Sequence, residues 1–264
     1  NMKNSIKGAE IVVHLASLIA IPYSYKASSS YVDTNVNGTL NIMQAALEND
    51  IEKVIHISTS EVYGSAKYVP IDEEHPLQAQ SPYSASKIGA DAIAFSFFKS
   101  FELPLIIGRP FNTYGPRQSS RAVIPTIISQ LLAGKTNLQL GSLDPIRDFN
   151  YVIDTCNGII SLINSSSNFL GETFNIGSGV GVTIKEVVDI ISKIINIKPI
   201  IESDFKRIRP KASEVDRLVC DNQKIKNLIG FNHTFTLEEG LINTIKWMSN
   251  PKNLELYKTN IYNV

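Results

Sequence analysis

The sequence predicts an α/β fold: a doubly wound parallel sheet with a smaller α+β lobe towards the C-terminus. Three observations carry that prediction. Short, continuous apolar runs at 11–17, 53–58 and 105–108 are too brief for helices and show no alternation, so they read as strands buried on both faces. Patterns of helical period lie between them, as a parallel sheet with crossover helices requires. Beyond Gly115 the character shifts to short strand-like runs and separately capped helices, which marks the smaller lobe.

At 264 residues the chain can bury a sizeable core, as one large domain or as two lobes. Its 25 basic and 25 acidic residues balance to zero, which argues against a nucleic-acid surface or a strongly acidic partner. Basic residues that matter should therefore act locally. No apolar run reaches membrane-spanning length and the N-terminus carries no signal pattern, so a cytoplasmic protein without membrane contact is expected. Cys156 and Cys220 lie far apart in apolar surroundings, which suits two buried free thiols in a reducing compartment. The four histidines show no His-x-x-x-His spacing, and no metal site is expected.

In chain order, Ile11-Val12-Val13-His14 reads as a strand ending in Leu15-Ala16-Ser17, where small residues would let a flat cofactor approach the backbone. The Ser/Tyr-rich stretch 19–31 reads as a loop. Val36, Leu40, Met43 and Leu47 recur at helical spacing and mark an amphipathic helix over 34–48. Lys53 to Ile57 is the next strand, and 65–82 is a proline-punctuated loop whose Asp72, Glu73 and Glu74 read as solvated. Pro82 opens a helix to Ser100, followed by a strand at 105–109. A helix over 121–133 closes at Gly134, short strands follow at 138–141 and 146–149, and a helix then runs to Ile163. Phe174-Asn175-Ile176-Gly177 should return to the main sheet as its last strand. Thr183 with Glu186, and Thr236 with Glu239, are capping boxes that start two helices of the lobe. The expected division is a main domain over 1–111 and 146–177, a lobe over 112–145 and 178–248, and a tail over 249–264.

Two stretches carry the chemistry. Ser58-Thr59-Ser60-Glu61-Val62-Tyr63-Gly64 follows a buried strand into a loop, and Tyr83-Ser84-Ala85-Ser86-Lys87 opens a helix. Four residues of separation put Tyr83 and Lys87 on one face, one turn apart. A lysine cation beside a phenol favours phenolate, which makes the tyrosine a usable base nearer neutral pH. A hydroxyl from Thr59 could bond the same substrate oxygen from the other side. Together they can take a proton from an alcohol whose carbon gives a hydride to a nicotinamide.

The order of strand, Ser/Thr loop, Tyr-x-x-x-Lys helix and apolar strand resembles the short-chain dehydrogenase/reductase superfamily, in its extended nucleotide-sugar-modifying branch. Val12-Val13-His14-Leu15-Ala16, Thr34-Asn35-Val36-Asn37-Gly38-Thr39-Leu40-Asn41, Arg109-Pro110-Phe111-Asn112-Thr113-Tyr114-Gly115-Pro116 and Arg147-Asp148-Phe149 through Asp154 match signatures of that branch. The resemblance spans 11 to about 247 and implies a Rossmann-like sheet binding NAD. It implies that Leu15, Ala16, Ser17, Asn35, Ser58, Tyr83, Lys87 and Pro110 line the cofactor. Asn35 would organise the active-site backbone, and Pro110 would approach the nicotinamide. It gives Asn112, Arg121, Val123, Arg147 and Arg209 to a nucleotide-sugar substrate, the arginines suiting phosphate through their planar forks. A homodimer through a four-helix bundle is also implied. The branch begins with a strand and a Gly-x-x-Gly-x-x-Gly turn upstream of the Ile11 strand. This sequence has neither, so it is expected to be part of a longer product that supplies the first βαβ unit.

The residues after Thr59 separate reactions within the branch. A simple 4-epimerase usually carries small residues there, whereas this chain has Ser60-Glu61. Thr-Ser-Glu is similar to the GDP-mannose 4,6-dehydratases, and the dTDP-glucose enzymes carry Thr-Asp-Glu. The catalytic set implied is Thr59, Ser60, Glu61, Tyr83 and Lys87. With serine a poor proton donor, Glu61 is left as both base and acid. UDP-glucuronate decarboxylases carry a very similar Ser-Thr-Ser-Glu-Val-Tyr-Gly, so decarboxylation and 4-epimerisation stay open as alternatives. Ser81-Pro82-Tyr83-Ser84-Ala85-Ser86-Lys87 is dehydratase-like, and 118–125 resembles enzymes acting on nucleotide-linked N-acetylglucosamine. The expectation is a 4,6-dehydratase acting on GDP- or UDP-N-acetylglucosamine. From a different class, a non-catalytic dinucleotide-sensing scaffold would normally lack the tyrosine or lysine, and both are present here.

Overall fold

The computed structural model describes residues 2–208 and 210–258. Strand β1 (Ile11–His14) leads past a helical turn at Ile21–Ser24 to a helical stretch opening at Ser28–Tyr31. That stretch widens to a π-helix over Val32–Asn37 and continues as α1 (Gly38–Glu48). β2 (Lys53–Ile57), α2 (Pro82–Phe101) and β3 (Leu105–Pro110) complete the first half. The lobe begins with β4 (Asn112–Tyr114), α3 (Val123–Leu132), β5 (Asn137–Leu140) and β6 (Ile146–Tyr151). α4 (Val152–Ile163) and β7 (Thr173–Ile176) return to the main sheet. The lobe then resumes with β8 (Gly181–Thr183), α5 (Ile184–Ile195), β9 (Ile200–Ser203) and β10 (Arg217–Leu218); α6 (Gln223–Ile229) crosses back onto the main sheet, and α7 (Leu237–Met248) returns to the lobe.

The main sheet is parallel, in the order β1–β2–β3–β7, with Phe174 to Ile176 forming the last strand as expected. Side chains alternate across it with period two, and both faces are apolar. Val54, Leu105 and Ile107 pack against Ile42, Met43, Ala94 and Phe97 of α1 and α2. Ile55, Ile57 and Ile106 pack on the other face against Leu162 of α4 and Ile225 of α6. The sheet is therefore wound on both sides. Its C-terminal strand ends all open towards the same rim, where ligands of such sheets bind.

In the lobe, β6 pairs in parallel with β4 and β10 and antiparallel with β8, while β5 and β9 form a separate ribbon. The expected domain division is changed here. β6 belongs by its pairing to the lobe, so we propose that the main domain regains the chain at α4 rather than at 146. The stretch after 248 is no bare tail over its described part: Pro251–Leu254 is helical and Tyr257 is buried in the lobe core. Both capping boxes are present, with Thr183 and Thr236 each exchanging bonds with the glutamate three residues on.

Other local expectations are corrected. The 19–31 stretch is partly helical, because Tyr31 is buried and its hydroxyl anchors the turn at the Ala20 carbonyl, 2.5 Å away. In the helix over 34–48, Leu47 is 36% exposed and the buried face is Asn35, Thr39, Ile42, Met43 and Ala46. The π-turn rotates the first part of the helix, which a simple 3.6-residue count does not foresee. Glu73 is not simply solvated: its carboxylate accepts the Asn175 backbone N–H at 2.7 Å. Ile71 is fully buried and hydrogen-bonded to Val219, which pins the 65–82 loop onto the lobe. Cys220 is buried but Cys156 is exposed, on the solvent side of α4. No helix among the described residues is long and apolar enough to cross a membrane.

Candidate active site

β2 ends at Ile57, and Thr59 caps the 3₁₀ turn Ser60–Tyr63 by accepting the Glu61 N–H at 3.2 Å. Gly64 closes that turn at φ +62°, where a Cβ would lie 2.8 Å from the Gln78 carbonyl oxygen, so glycine is required there. Ser81 and Ser84 form a reciprocal cap and Pro82 sits in the first turn, which fixes where α2 begins. Tyr83 and Lys87 follow on the buried face of α2. The turn and the helix start thus converge on one point, bringing Thr59, Ser60, Glu61, Tyr83 and Lys87 together from two segments.

Burial pushes the Tyr83 phenol well above the ordinary tyrosine range, and the nearby Glu61 charge pushes the same way. The Thr59 hydroxyl, close to the phenol, works against them. Lys87 does not reach the phenol as the spacing suggested. Its ammonium donates instead to the Ile57 carbonyl at 2.9 Å, and burial lowers its own pKa against the pull of Asp91. The protein alone therefore keeps Tyr83 protonated at neutral pH. Glu61 is buried in the same place, and its carboxylate has no hydrogen-bond or ion-pair partner among the described residues.

On the cofactor side, Leu15 is 60% exposed just beyond β1, and Ser17 is half-buried beside it. Asn35 holds this loop. Its amide accepts from the Leu18 N–H at 2.8 Å and the Ser17 hydroxyl at 3.0 Å. It donates to the Leu18 carbonyl at 3.0 Å and to Ser86 of α2 at 2.9 Å. The π-turn is what aims Asn35 between the two segments. Ser58 and Pro110 end their strands on the same rim, and Ala16 lies in the loop between. The residues present fit the nicotinamide-ribose end of NAD. Lys87 spends one of its ammonium N–H donors on Ile57, and the other two have no acceptor among the described residues, which suits a ribose diol.

On the substrate side, Asn112 and Arg147 share one face of the lobe sheet, because Asn112 pairs with Phe149 and Arg147 stands two residues earlier on β6. The Asn112 side-chain oxygen is buried without a hydrogen-bond partner. Arg147 is buried, donating to the Ile146 carbonyl at 3.0 Å and to Glu214 at 3.4 Å. Arg121 is exposed and lies close enough to the Tyr31 phenol to lower its pKa, so it faces the main domain from the lobe. Val123 starts α3 and packs half-buried on the lobe core. Arg209 lies outside the described residues.

Sequence reasoning missed what lies beneath. Asp91, one turn beyond Lys87, accepts from Ser58 at 2.8 Å, from Arg109 at 3.1 and 3.3 Å, and pairs with His56 at 3.2 Å. Arg109 also donates to the Tyr63 hydroxyl at 3.0 Å, which in turn donates to Asn175 at 2.7 Å. Continuing the Tyr83–Lys87 spacing by four more residues would have pointed to Asp91. Nothing local marks its partners.

Residues 2–244 match the family model described as GDP-mannose 4,6 dehydratase. The chain is 32% identical to the low-salt glycan biosynthesis protein Agl12 of Haloferax volcanii over 89% of this chain and 74% of that protein. It superimposes on DesIV, a dTDP-glucose 4,6-dehydratase from Streptomyces venezuelae with NAD bound. That match has a TM-score of 0.86 at 29% identity and covers 97% of this chain and 78% of that one. TunA, an NAD-dependent NDP-hexosamine 5,6-dehydratase of tunicamycin biosynthesis, is similar at a TM-score of 0.86 and 28% identity, covering 96% and 81%.

Proposed function

The chain belongs to the GDP-mannose 4,6-dehydratase family, NAD-dependent nucleotide-sugar dehydratases and epimerases of the extended short-chain dehydrogenase/reductase type, and we propose that it dehydrates GDP- or UDP-N-acetylglucosamine. The observation that carries the dehydratase reading is the unpartnered Glu61 carboxylate buried beside Tyr83. An epimerase has no use for a base at this place. The amino-sugar part is supported by the 118–125 segment and by the similarity to a hexosamine dehydratase.

When bound, NAD would supply a cationic ring as hydride acceptor for C4 and, once reduced, the hydride donor for C6. The protein handles the protons. Tyr83, which becomes a phenolate only when the cationic ring lies beside it, accepts the O4 proton, with Thr59 bonding the same oxygen. Glu61 takes the C5 proton, made acidic by the C4 ketone, and hands it to the C6 hydroxyl, which leaves as water. The proton held by Tyr83 passes to C5 as the hydride reaches C6. Two protons enter the site, from O4 and C5, and two leave, on water and on C5, so one carboxylate suffices and Ser60 need not act as an acid. Lys87 supplies fixed positive charge below the phenol. Asn112, Arg121, Arg147 and Arg209 would hold the diphosphate and sugar.

We place this activity in the cytoplasm, in a homodimer whose helices include α1 and α2. Exposed apolar side chains on those helices, among them Leu47, Phe95 and Phe101, support such pairing, and light scattering of the purified chain tests it. The substrate test is the mass of the sugar nucleotide after incubation with the NAD-loaded full-length protein. GDP- and UDP-N-acetylglucosamine are assayed separately, with UDP-glucuronate and dTDP-glucose as controls. Loss of one water from an N-acetylglucosamine nucleotide supports the proposal. Water lost only from dTDP-glucose, carbon dioxide lost from UDP-glucuronate, or an unchanged mass with sugar interconversion would each replace it.

A further inference from the structure

Tyr83, Lys87 and Asp91 occupy successive turns on one face of α2, but only the first two belong to the proposed chemistry. Asp91 lies below them, 4% exposed. Its carboxylate meets the two residues that flank Ile57, accepting from the Ser58 hydroxyl and pairing with His56. The carbonyl of Ile57 itself holds the Lys87 ammonium. The carboxylate also takes two bonds from Arg109, the residue before Pro110. One side chain thus ties the last turns of β2 and β3 to the helix that carries the tyrosine and the lysine.

The charges around this point are few and opposed. Lys87 from α2 and Arg109 from β3 bring two cations, and Asp91 brings one anion. His56 from β2 and His14 from β1, tilted against each other with ring centroids 5.3 Å apart, are both kept neutral by burial. Thr39 of α1 bonds His14 and Tyr63 bonds Arg109, while Glu61 acts on Tyr83 from the opposite side. No other charged group meets the Lys87 ammonium strongly enough to offset the cost of burying it.

We propose that Asp91 is a positioning residue for catalysis, setting the charge of Lys87 and the placement of Ser58–Thr59 and Pro110 around Tyr83 through its bridge between the ends of β2 and β3. This rests on the Tyr83–Lys87 reading of the site and adds that the pair works only with Asp91 ionised. Removing the anion takes away the charge that favours the Lys87 ammonium and helps hold the Tyr83 proton, so both groups lose protons more readily. Removing Arg109 does the reverse, because Lys87 then has the anion to itself.

The test compares Asp91→Asn, Asp91→Glu and Arg109→Gln with the parent as full-length, NAD-loaded proteins. Two quantities are read: the pH profile of kcat, and the tyrosinate absorbance of Tyr83, isolated by subtracting Tyr83→Phe in each background. Asp91→Asn should move both limbs of the profile and the tyrosinate midpoint down by about one pH unit. Arg109→Gln should move them up, and Asp91→Glu should restore the limbs at a lower kcat. A purely structural role lowers kcat at every pH and moves no midpoint, and that result, or failure of both charge variants to fold, overturns the proposal. If Tyr83→Phe remains active, the underlying site reading fails instead, so the two failures are distinguishable.

Discussion

The Lys87 ammonium donates to the Ile57 carbonyl, 2.9 Å away, and so locks the helix face carrying Tyr83 against the end of β2. Thr59 follows two residues later, and its hydroxyl sits near enough to the Tyr83 phenol to favour the phenolate. Tyr83→Phe keeps the ring packed edge-on against Tyr31, at a centroid distance of 6.1 Å, and removes only the proton acceptor. The first hydride transfer should then stop, with kcat down by about 10²–10⁴ and no NADH absorbance on mixing with substrate. A normal NADH burst would place the base elsewhere.

Glu61→Gln separates the two halves of the reaction. The amide cannot take the C5 proton, but Tyr83, Thr59 and Lys87 remain. C4 oxidation should persist, seen as slow NADH accumulation, while water loss falls by about 10²–10⁴. Unimpaired dehydration by this variant would falsify the assignment of Glu61 as the base.

Asn35→Ala deletes three hydrogen bonds to the β1 loop and one to α2 at once. It leaves the Leu18 N–H and carbonyl without their side-chain partner. A loss of about 2–4 kcal/mol of stability is expected in urea unfolding, together with a raised KM for NAD. Unchanged stability with a raised KM would mean that Asn35 acts on the cofactor directly rather than through the loop.

Acid should weaken the fold earlier than carboxylates alone would dictate. Burial, with the neighbouring His56 and Lys87, pushes the His14 pKa from 6.5 down to about 3, and burial lowers His56 as well. Below about pH 6.5 the unfolded chain binds protons on these imidazoles that the folded chain refuses. Stability is therefore full above that pH and falls as pH drops, by about 1.4 kcal/mol per pH unit for each histidine. Burial works against the Asp91 carboxylate, but its bond to His56 and the Arg109 charge hold it below the usual range. Its contribution is present above about pH 3.9 and lost only below that, as pH falls through the depressed folded value. Urea midpoints measured from about pH 8 to about pH 5 should decline in the parent and decline less steeply in His14→Asn, where only His56 remains. A flat parent curve would mean that the imidazoles can accept protons in the folded state.

Much of the architecture was legible because it is written in local patterns. The strands at Ile11, Lys53, Leu105 and Phe174 are continuous apolar runs, and the caps at Thr183 and Thr236 are complete within four residues. The placement of β6 was not legible. Pairing with β4 depends on where the chain goes after Pro110, and no periodicity encodes it. The exposure of Cys156 escaped for a related reason: apolar neighbours in sequence are not neighbours on the face of α4.

The sequence by itself determined which groups could do chemistry: a hydroxyl and a carboxylate on one loop, a phenol and an ammonium one helical turn apart. Covalent spacing and helix geometry decide that much. Tertiary structure decided what each group experiences. It buried Tyr83 until its phenol holds its proton, turned Lys87 onto a backbone carbonyl, left Glu61 without a partner and set Asp91 beneath them. Proton affinity depends on desolvation and on charges brought from distant parts of the chain, and those are fixed only once β1, β2, β3 and α2 are packed together.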